Sequence, residues 1–334
     1  MKKVIFGALF LYSLVVAHSV AYAQDDQKKE KEPKFKKTKT YTKSYPVSSS
    51  DNINLSNQFG EMKLITWDKN EVKVDAAITG KSDIEQRAQQ ILDQITIEDS
   101  KTGNTVSFKT NFDKDKKMKN SDNKEEHRNE GMEINYTVYL PAGNPLDAKN
   151  QFGKMIVPDY KGEAEIECKF GSLSAGKLTN AKEINVEFGE ADIAQLNGGK
   201  LSIKFSEGTV KLSGDVKTDL EFSQVKLTID NDVKSLDIHN SYSTVYLDVD
   251  KNFSANYDIH TSHGDFSNKT SFAINEEGKE DSHYGPRFTR RYKGNSGSGS
   301  ARLKVDSSFG EIIIGHDLKM EKGKNKSKSH SAVS

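Results

Sequence analysis

A short motif recurs along the chain at a near-constant spacing, and no other feature narrows the possible folds so far. Aligned on one aromatic residue, it reads CKFGSLSA, VEFGEADI, IKFSEGTV, LEFSQVKL, NSYSTVYL and TSHGDFSN. The anchors are Phe170, Phe188, Phe205, Phe222, Tyr242 and, with the ring changed, His263. Phe152, in NQFGKMIV, leads the run, and successive anchors from there lie 17 to 21 residues apart. Outlying copies sit at Phe59 (NQFGEMKL) and Phe309 (SSFGEIII). A fixed period of this size implies stacked, near-identical units, each too small to bury its own apolar side.

Counting from the anchor, positions −4, −2 and 0 are mostly apolar: Ile166/Cys168/Phe170, Ile184/Val186/Phe188 and Leu201/Ile203/Phe205. Positions −5, −3 and −1 are mostly polar, which is the alternation of a half-buried strand. Position +1 is Gly or Ser in every copy, and apolar residues mostly return at +3 and +5, as in Val225/Leu227 and Ile312/Ile314. The inward phase therefore jumps by three at the small residue, where a bend hands one short strand to the next. This predicts an all-β fold, a single-stranded β-solenoid (β-helix) with ~17–21-residue coils stacked ~4.8 Å apart. Phe59, Phe152, Phe170, Phe188, Phe205, Phe222, Tyr242 and Phe309 would stack inside it as a structural ladder. An antiparallel meander or sandwich also uses short alternating strands, but gives no reason to repeat one corner.

Residues 1–23 read as a signal peptide: Lys2 and Lys3, the apolar run Val4 to Val16, and Ala21-Tyr22-Ala23 as cleavage site. The apolar run is short for a membrane span, so no span is expected in the mature chain. Residues 24–44 are polar and lysine-rich, and are expected to be a disordered leader. Residues 45–316 form the predicted solenoid domain. One capping helix is expected near residues 82–95, with Ser82 and Glu85 as a capping box and Ile84, Ala88, Ile91, Leu92 and Ile95 on one face. Its place would be over the open end of the stack. Residues 113–131 and 275–300 read as loop insertions, and residues 317–334 as a basic disordered tail.

With 49 basic and 49 acidic residues, the charge balance calls for neither nucleic acid nor an anionic membrane. The single cysteine, Cys168, takes an inward position and reads as buried filler. There is no HExxH, GxSxG, P-loop, CxxC or dinucleotide fingerprint, so no catalytic residue and no cofactor is assigned. One outward cluster stands out. Asp219, His239 and His260 share position −3, with Asp237 and Asp258 at −5, which would set the two imidazoles side by side. Imidazole with carboxylate is zinc or copper chemistry. A polar ladder on a solvated face is the plainer reading, and no metal is assigned. Arg287 to Lys293 could grip an acidic glycan or phosphate, though a solvated loop explains it as well. His263 is expected to be a partly buried core histidine. Asn57, Asn150, Asn240 and Thr261, at inward −2 positions, are expected to form hydrogen-bonded ladders.

Taken together, WDKNEVKVDA, YTVYLP, the FG corners and SGSARLKVDSSFGEIII resemble the putative-adhesin β-repeat family, also described as auto-transporter adhesin head or GIN-domain-like. The resemblance covers roughly residues 45–315. It implies an exported β-solenoid that is periplasmic, outer-membrane-associated or extracellular, and it carries over no catalytic residues. The expected function is a non-catalytic, adhesin-like scaffold presenting its surface to a glycan, an envelope protein or itself. The alternatives are a polysaccharide-acting β-helix enzyme, whose insertions would fold over a common face, and an envelope-stress regulatory partner.

Overall fold

Alternating apolar and polar residues run through most of the chain and form strands almost wherever they occur. The computed structural model describes residues 32–113, 129–278 and 288–320. The predicted signal peptide, most of the 113–131 insertion, part of the 275–300 insertion and the tail beyond 320 lie outside the described residues.

The first part holds β1 (Phe35–Pro46), β2 (Asn52–Gln58), β3 (Met62–Trp67), β4 (Glu71–Ser82) and the helix α1 (Glu85–Asp93). Then come β5 (Ile95–Thr102), β6 (Thr105–Phe112) and β7 (Gly131–Pro141). The regular repeats supply β8 (Leu146–Gln151), β9 (Lys154–Val157), β10 (Ala164–Lys169), β11 (Ser172–Leu178) and β12 (Ala181–Glu187). They continue through β13 (Glu190–Lys204), β14 (Glu207–Glu221), β15 (Gln224–Ile229), β16 (Ser235–Ser241) and β17 (Thr244–Val249). The last part is β18 (Ala255–Ser262), β19 (Asp265–Asn268), β20 (Ala273–Glu276), β21 (Thr289–Ser296), β22 (Ala301–Ser308) and β23 (Glu311–Gly315). The described residues are thus nearly all β with one helix, joined in a single nearly closed, barrel-like sheet. All of it belongs to one compact unit beginning at Pro33.

Two rows of parallel strands carry the repeat. Before the corner, Ala148, Ile166, Ile184, Leu201, Thr218 and Ile238 lie opposite one another in turn. After it, Met155, Leu173, Ala191, Gly208, Val225, Val245 and Ile312 do the same. Like positions therefore stack on like, and their inward members merge into one continuous core.

The anchors do not join that core. From Phe152 to Phe309 they are 45–51 % exposed, whereas Cys168, Val186, Ile203 and Leu220 at −2 are fully buried. The expected internal ladder is therefore an external one. Its cause is local: all nine anchors, His263 included, have left-handed backbones with φ of 47–61°. A left-handed residue turns its side chain out of the alternation, so the inward phase runs −4, −2, +1, +3, +5. The jump of three falls at the aromatic residue, not at the small one after it. Position +1 must be small because it faces the neighbouring backbone. A Cβ on Gly189 would lie 1.8 Å from the Gly171 carbonyl oxygen.

Spatial order also departs from sequence order. β22 lies between β16 and β18, and β23 between β17 and β19. After β19 the chain makes β20 and β21, pairs β21 antiparallel to β18, and returns to fill the gap. The 275–300 stretch is thus partly strand, and β21 covers a row edge that would otherwise be bare.

The other end differs from expectation in two places. Residues 35–44 are not part of a disordered leader: β1 pairs antiparallel with β4 from Phe35↔Ser82 to Pro46↔Glu71. Its lysines have specific partners. Lys37 pairs with Glu85, and Lys39 Nζ donates to the Leu92 and Ile95 carbonyls at 2.9 and 2.7 Å. The first lies in the last turn of the helix and the second just beyond it, at the start of β5. The helix itself is shorter than 82–95, because Ser82 and Ile95 belong to strands. No capping box forms: Ile84 is the N-cap without a side-chain bond, and Ser82 Oγ accepts only the Ile84 N–H, at 3.2 Å. α1 buries Ala88, Ile91 and Leu92 and packs on β4, β1 and β5, bridging the ends of the two rows. Gly80 lets it approach, since a Cβ there would meet the Ala88 carbonyl oxygen at 2.3 Å. Among the described residues no helix is long and apolar enough to cross a membrane.

Candidate functional site

Each corner is locked by the backbone before any ring is placed. The anchor N–H donates to the carbonyl just before the next anchor: Phe170 to Glu187, Phe188 to Lys204 and Phe205 to Glu221, at 2.8–3.0 Å. With the backbones in register, the rings have one direction to take. Phe59, Phe152, Phe170, Phe188, Phe205, Phe222, Tyr242 and Phe309 stack in seven steps of 4.7–5.1 Å, within 2–8° of parallel. His263 continues the stack on Phe309, and Phe288 follows on His263, each at 4.9 Å. At the other end Phe112 closes edge-on against Phe59. A left-handed non-glycine residue costs roughly 1–2 kcal/mol, and a stacked pair returns about 0.5–1.5 kcal/mol. The two are of similar size, so the ridge offsets its own strain and adds little net stability.

Beneath the rings, three corners carry serine in place of glycine. Ser206, Ser223 and Ser243 each donate Oγ to the carbonyl two residues back, at 2.6, 2.8 and 3.0 Å. Each also accepts a backbone N–H from the preceding corner, from Gly189, Ser206 and Ser223 in turn. This relay leaves the corner amides satisfied while the rings stay outside. A shallow groove runs beside it, lined by Phe205, Phe222, Tyr242, Glu207, Gln224 and Thr244 among others.

The outward histidines are arranged differently from expectation. Asp219 lies opposite His239, but His239 and His260 both lie opposite Asp306, which separates them. The returning β22 causes this. Asp306 stands 3.9 Å from His239 Nδ1 and 3.8 Å from His260 Nδ1, and Lys304 already holds its carboxylate at 2.7 Å. Asp219 is likewise held by Lys204 at 3.2 Å. Asp219, His239 and His260 therefore do not converge on a point. Among the described residues no group of three or more His, Cys, Asp or Glu is placed to hold a metal ion.

The basic segment is similarly occupied. Arg291 makes a two-pronged contact with Asp258 at 2.9 and 2.8 Å, which holds that carboxyl below its ordinary range. Lys293 pairs with Glu277 at 3.0 Å, and Arg290 is 4.0 Å from Asp265. Arg287 lies outside the described residues. Burial pushes the Cys168 thiol up to about 11, so it is an inert core group. His263 is exposed in the ridge and not in the core.

Three residues escape sequence reasoning: Asp306, Phe112 and Phe288. Asp306 is legible as a −3 residue of the Phe309 corner, but its neighbours are not, because sequence order misplaces that corner. Phe112 and Phe288 sit on no corner motif and join the stack only through tertiary contact.

No family model matches the chain, and no curated protein matches it. Among solved structures it is similar to a putative adhesin from Bacteroides fragilis, at 14 % identity and a TM-score of 0.37, over 83 % of this chain and 97 % of that one. It is also similar to a putative cell adhesion protein from Clostridium sporogenes, at 16 % identity and a TM-score of 0.26, over 83 % and 99 %. A third is a putative lipid binding protein from Parabacteroides distasonis, at 12 % identity and a TM-score of 0.28, over 82 % and 96 %.

Proposed function

We propose that this chain is an exported, non-catalytic, adhesin-like scaffold of the cell envelope, a β-solenoid that presents its outer surface to a glycan or an envelope protein. Parallel, in-register pairing of repeat on repeat supports the winding. Export rests on the signal-peptide pattern of residues 1–23. The observation that carries the display role is the aligned, half-exposed ring ridge from Phe152 to Phe309. Exposed phenylalanines are ordinary when scattered, but a continuous apolar row is a contact surface. Because the rings cover one another's faces, the ridge offers their edges, which carry partial positive charge. Such edges suit the oxygens and apolar carbons of a sugar chain or an extended polypeptide running along the ridge. Of the insertions that would build an enzyme's groove, most of 113–131 and residues 279–287 of 275–300 lie outside the described residues.

The test is retention of the full chain on a glycan array and on purified envelope polysaccharide, with reducing ends assayed in parallel. Retention without new reducing ends is expected. A Phe170→Ser, Phe188→Ser, Phe205→Ser triple variant should stay folded and lose about tenfold or more in retention, at ~0.5–1.5 kcal/mol for each ring. New reducing ends, or unchanged retention by the triple variant, would overturn the proposal.

A further inference from the structure

The two flanks of the ring ridge carry opposite charge patterns. Before the corner, position −1 alternates in sign: Lys169 lies opposite Glu187, Glu187 opposite Lys204, and Lys204 opposite Glu221. Lys169 stands 3.5 Å from Glu187 and Lys204 3.2 Å from Glu221, so this flank neutralises itself. After the corner, position +2 does the reverse. Glu190 lies opposite Glu207 and Glu311 opposite Asp265, with Gln224 and Thr244 between the two pairs. All four acidic residues are exposed. Arg290 is 4.0 Å from Asp265, but no cation among the described residues pairs with Glu190, Glu207 or Glu311. Lys154, the one lysine at +2, is separated from Glu190 by Ser172.

Like charges set directly opposite cost stability. The −1 flank shows that this fold can avoid the cost, so the exception at +2 fits a positively charged partner. The carboxylates and the rings also share a groove: Glu190 and Glu207 line an open cleft of about 580 Å³ together with Phe205, Phe222 and Tyr242. Spacing then selects the partner's backbone. The rings recur every 4.7–5.1 Å. In an extended polypeptide, side chains on one side recur about every 6.4–6.8 Å and fall out of step with the rings. A pyranose unit in an extended β-1,4-linked chain spans close to one strand spacing, so one sugar meets each ring. Alternate sugars of such a chain turn the same way, which sets equivalent groups two and four strand steps apart. The pairs Glu190/Glu207 and Glu311/Asp265 are four strand steps apart.

We propose that the ridge and its +2 flank bind a β-linked amino-sugar chain, with one sugar along each ring edge and an ammonium group at each of the two carboxylate pairs. This rests on the ridge being the display surface, as in the function proposed above, and narrows its ligand from glycans in general to cationic ones.

The test titrates β-1,4-linked glucosamine hexamer, and its fully N-acetylated counterpart, into the full chain at low salt and mildly acidic pH, where the free amines are protonated. The glucosamine hexamer should bind about tenfold tighter, through ion pairs at exposed carboxylates. A Glu190→Gln, Glu207→Gln, Glu311→Gln variant should bind the two alike, with no fall in melting temperature, because it relieves like-charge opposition. In 1 M salt, where the screening length is about 3 Å, the native chain should lose its preference too. Equal binding of the two hexamers by the native chain, or a preference kept by the carboxamide variant, would overturn the amino-sugar assignment and leave the ridge as display surface. Unchanged binding of either hexamer by the Phe170→Ser, Phe188→Ser, Phe205→Ser variant would overturn both. Tighter binding of a peptide with lysine at every second position than of the glucosamine hexamer would also overturn the assignment and give the flank to a polypeptide.

Discussion

The middle of the array and its two ends fill the same inward position with opposite chemistry. At −2 the middle has Cys168, Val186, Ile203 and Leu220, whereas the ends have Asn57 and Asn150, then Asn240, Ser307 and Thr261. All of these are buried, so exposure does not explain the difference. What each repeat meets explains the first end. In the middle, a corner meets another corner, and its carbonyl accepts the N–H of the residue two past the next anchor: Glu190 to Gly171, Glu207 to Gly189, Gln224 to Ser206. No backbone group is left over, so apolar filling is the better choice.

At the first end the Phe59 corner meets β7, an unbroken strand with no corner of its own. Asn57 Nδ2 takes the Ile134 carbonyl at 2.9 Å and reaches Asn150 Oδ1 at 3.2 Å, while Thr110 Oγ1 donates to Asn57 Oδ1 at 2.8 Å. Asn150 Nδ2 in turn serves the Gly60 and Lys154 carbonyls at 3.0 and 3.2 Å. At the second end Asn240 Nδ2 donates to Ser307 Oγ at 2.9 Å and to the Ser243 carbonyl at 3.2 Å. Asn240 Oδ1 and Thr261 Oγ1 stay without partners among the described residues. The asparagines of the first end thus serve backbone that the regular repeat does not meet, whereas at the second end corner still meets corner, with the Glu311 N–H on the Ser243 carbonyl at 2.9 Å, and Asn240 bonds to Ser307 beside it.

The largest expected effect comes from carrying end chemistry into the middle. Val186→Asn loses a packed side chain and buries an amide with no carbonyl to serve, at a cost of about 3 kcal/mol or more in urea melts. The reverse exchange, Asn150→Leu, takes a side-chain donor from the Gly60 and Lys154 carbonyls and one of the two acceptors of the Asn57 amide, and should cost about 1–3 kcal/mol. If Val186→Asn proved the milder of the two, the contrast between middle and ends would collapse. Phe188→Ala should cost only about 1–2 kcal/mol, for two stacking contacts on an exposed ridge. A loss of about 3–5 kcal/mol would be the signature of a core ring and would contradict the ridge. Smallest of all, Thr261→Val removes an unpartnered buried hydroxyl and should lie between no change and a gain of about 1 kcal/mol. A measurable loss would mean that the hydroxyl has a partner after all.

Much of this was written in short-range pattern. The alternation through Ile184 and Val186, the small residue at Gly189 and the return of apolar residues at +3 and +5 specify short strands joined by a repeated corner. They do so because strand alternation and backbone crowding act over a few residues. The asparagines at −2 were legible as hydrogen-bonding positions for the same reason. The direction of Phe188 was not, since one left-handed φ reverses a side chain without altering the apolar count that sequence patterning reads. Nor was the separation of His239 from His260. That depended on β21 covering β18 while β22 entered between β16 and β18, a choice among strand edges of similar pattern. The lysines of β1 misled in the same way, because composition records their charge and not the two carbonyls that Lys39 reaches where α1 gives way to β5. Local alternation was thus decided by the sequence alone. Which edge met which, and which face of each corner turned outward, was decided by long-range backbone pairing, where every buried N–H and C=O must find a partner.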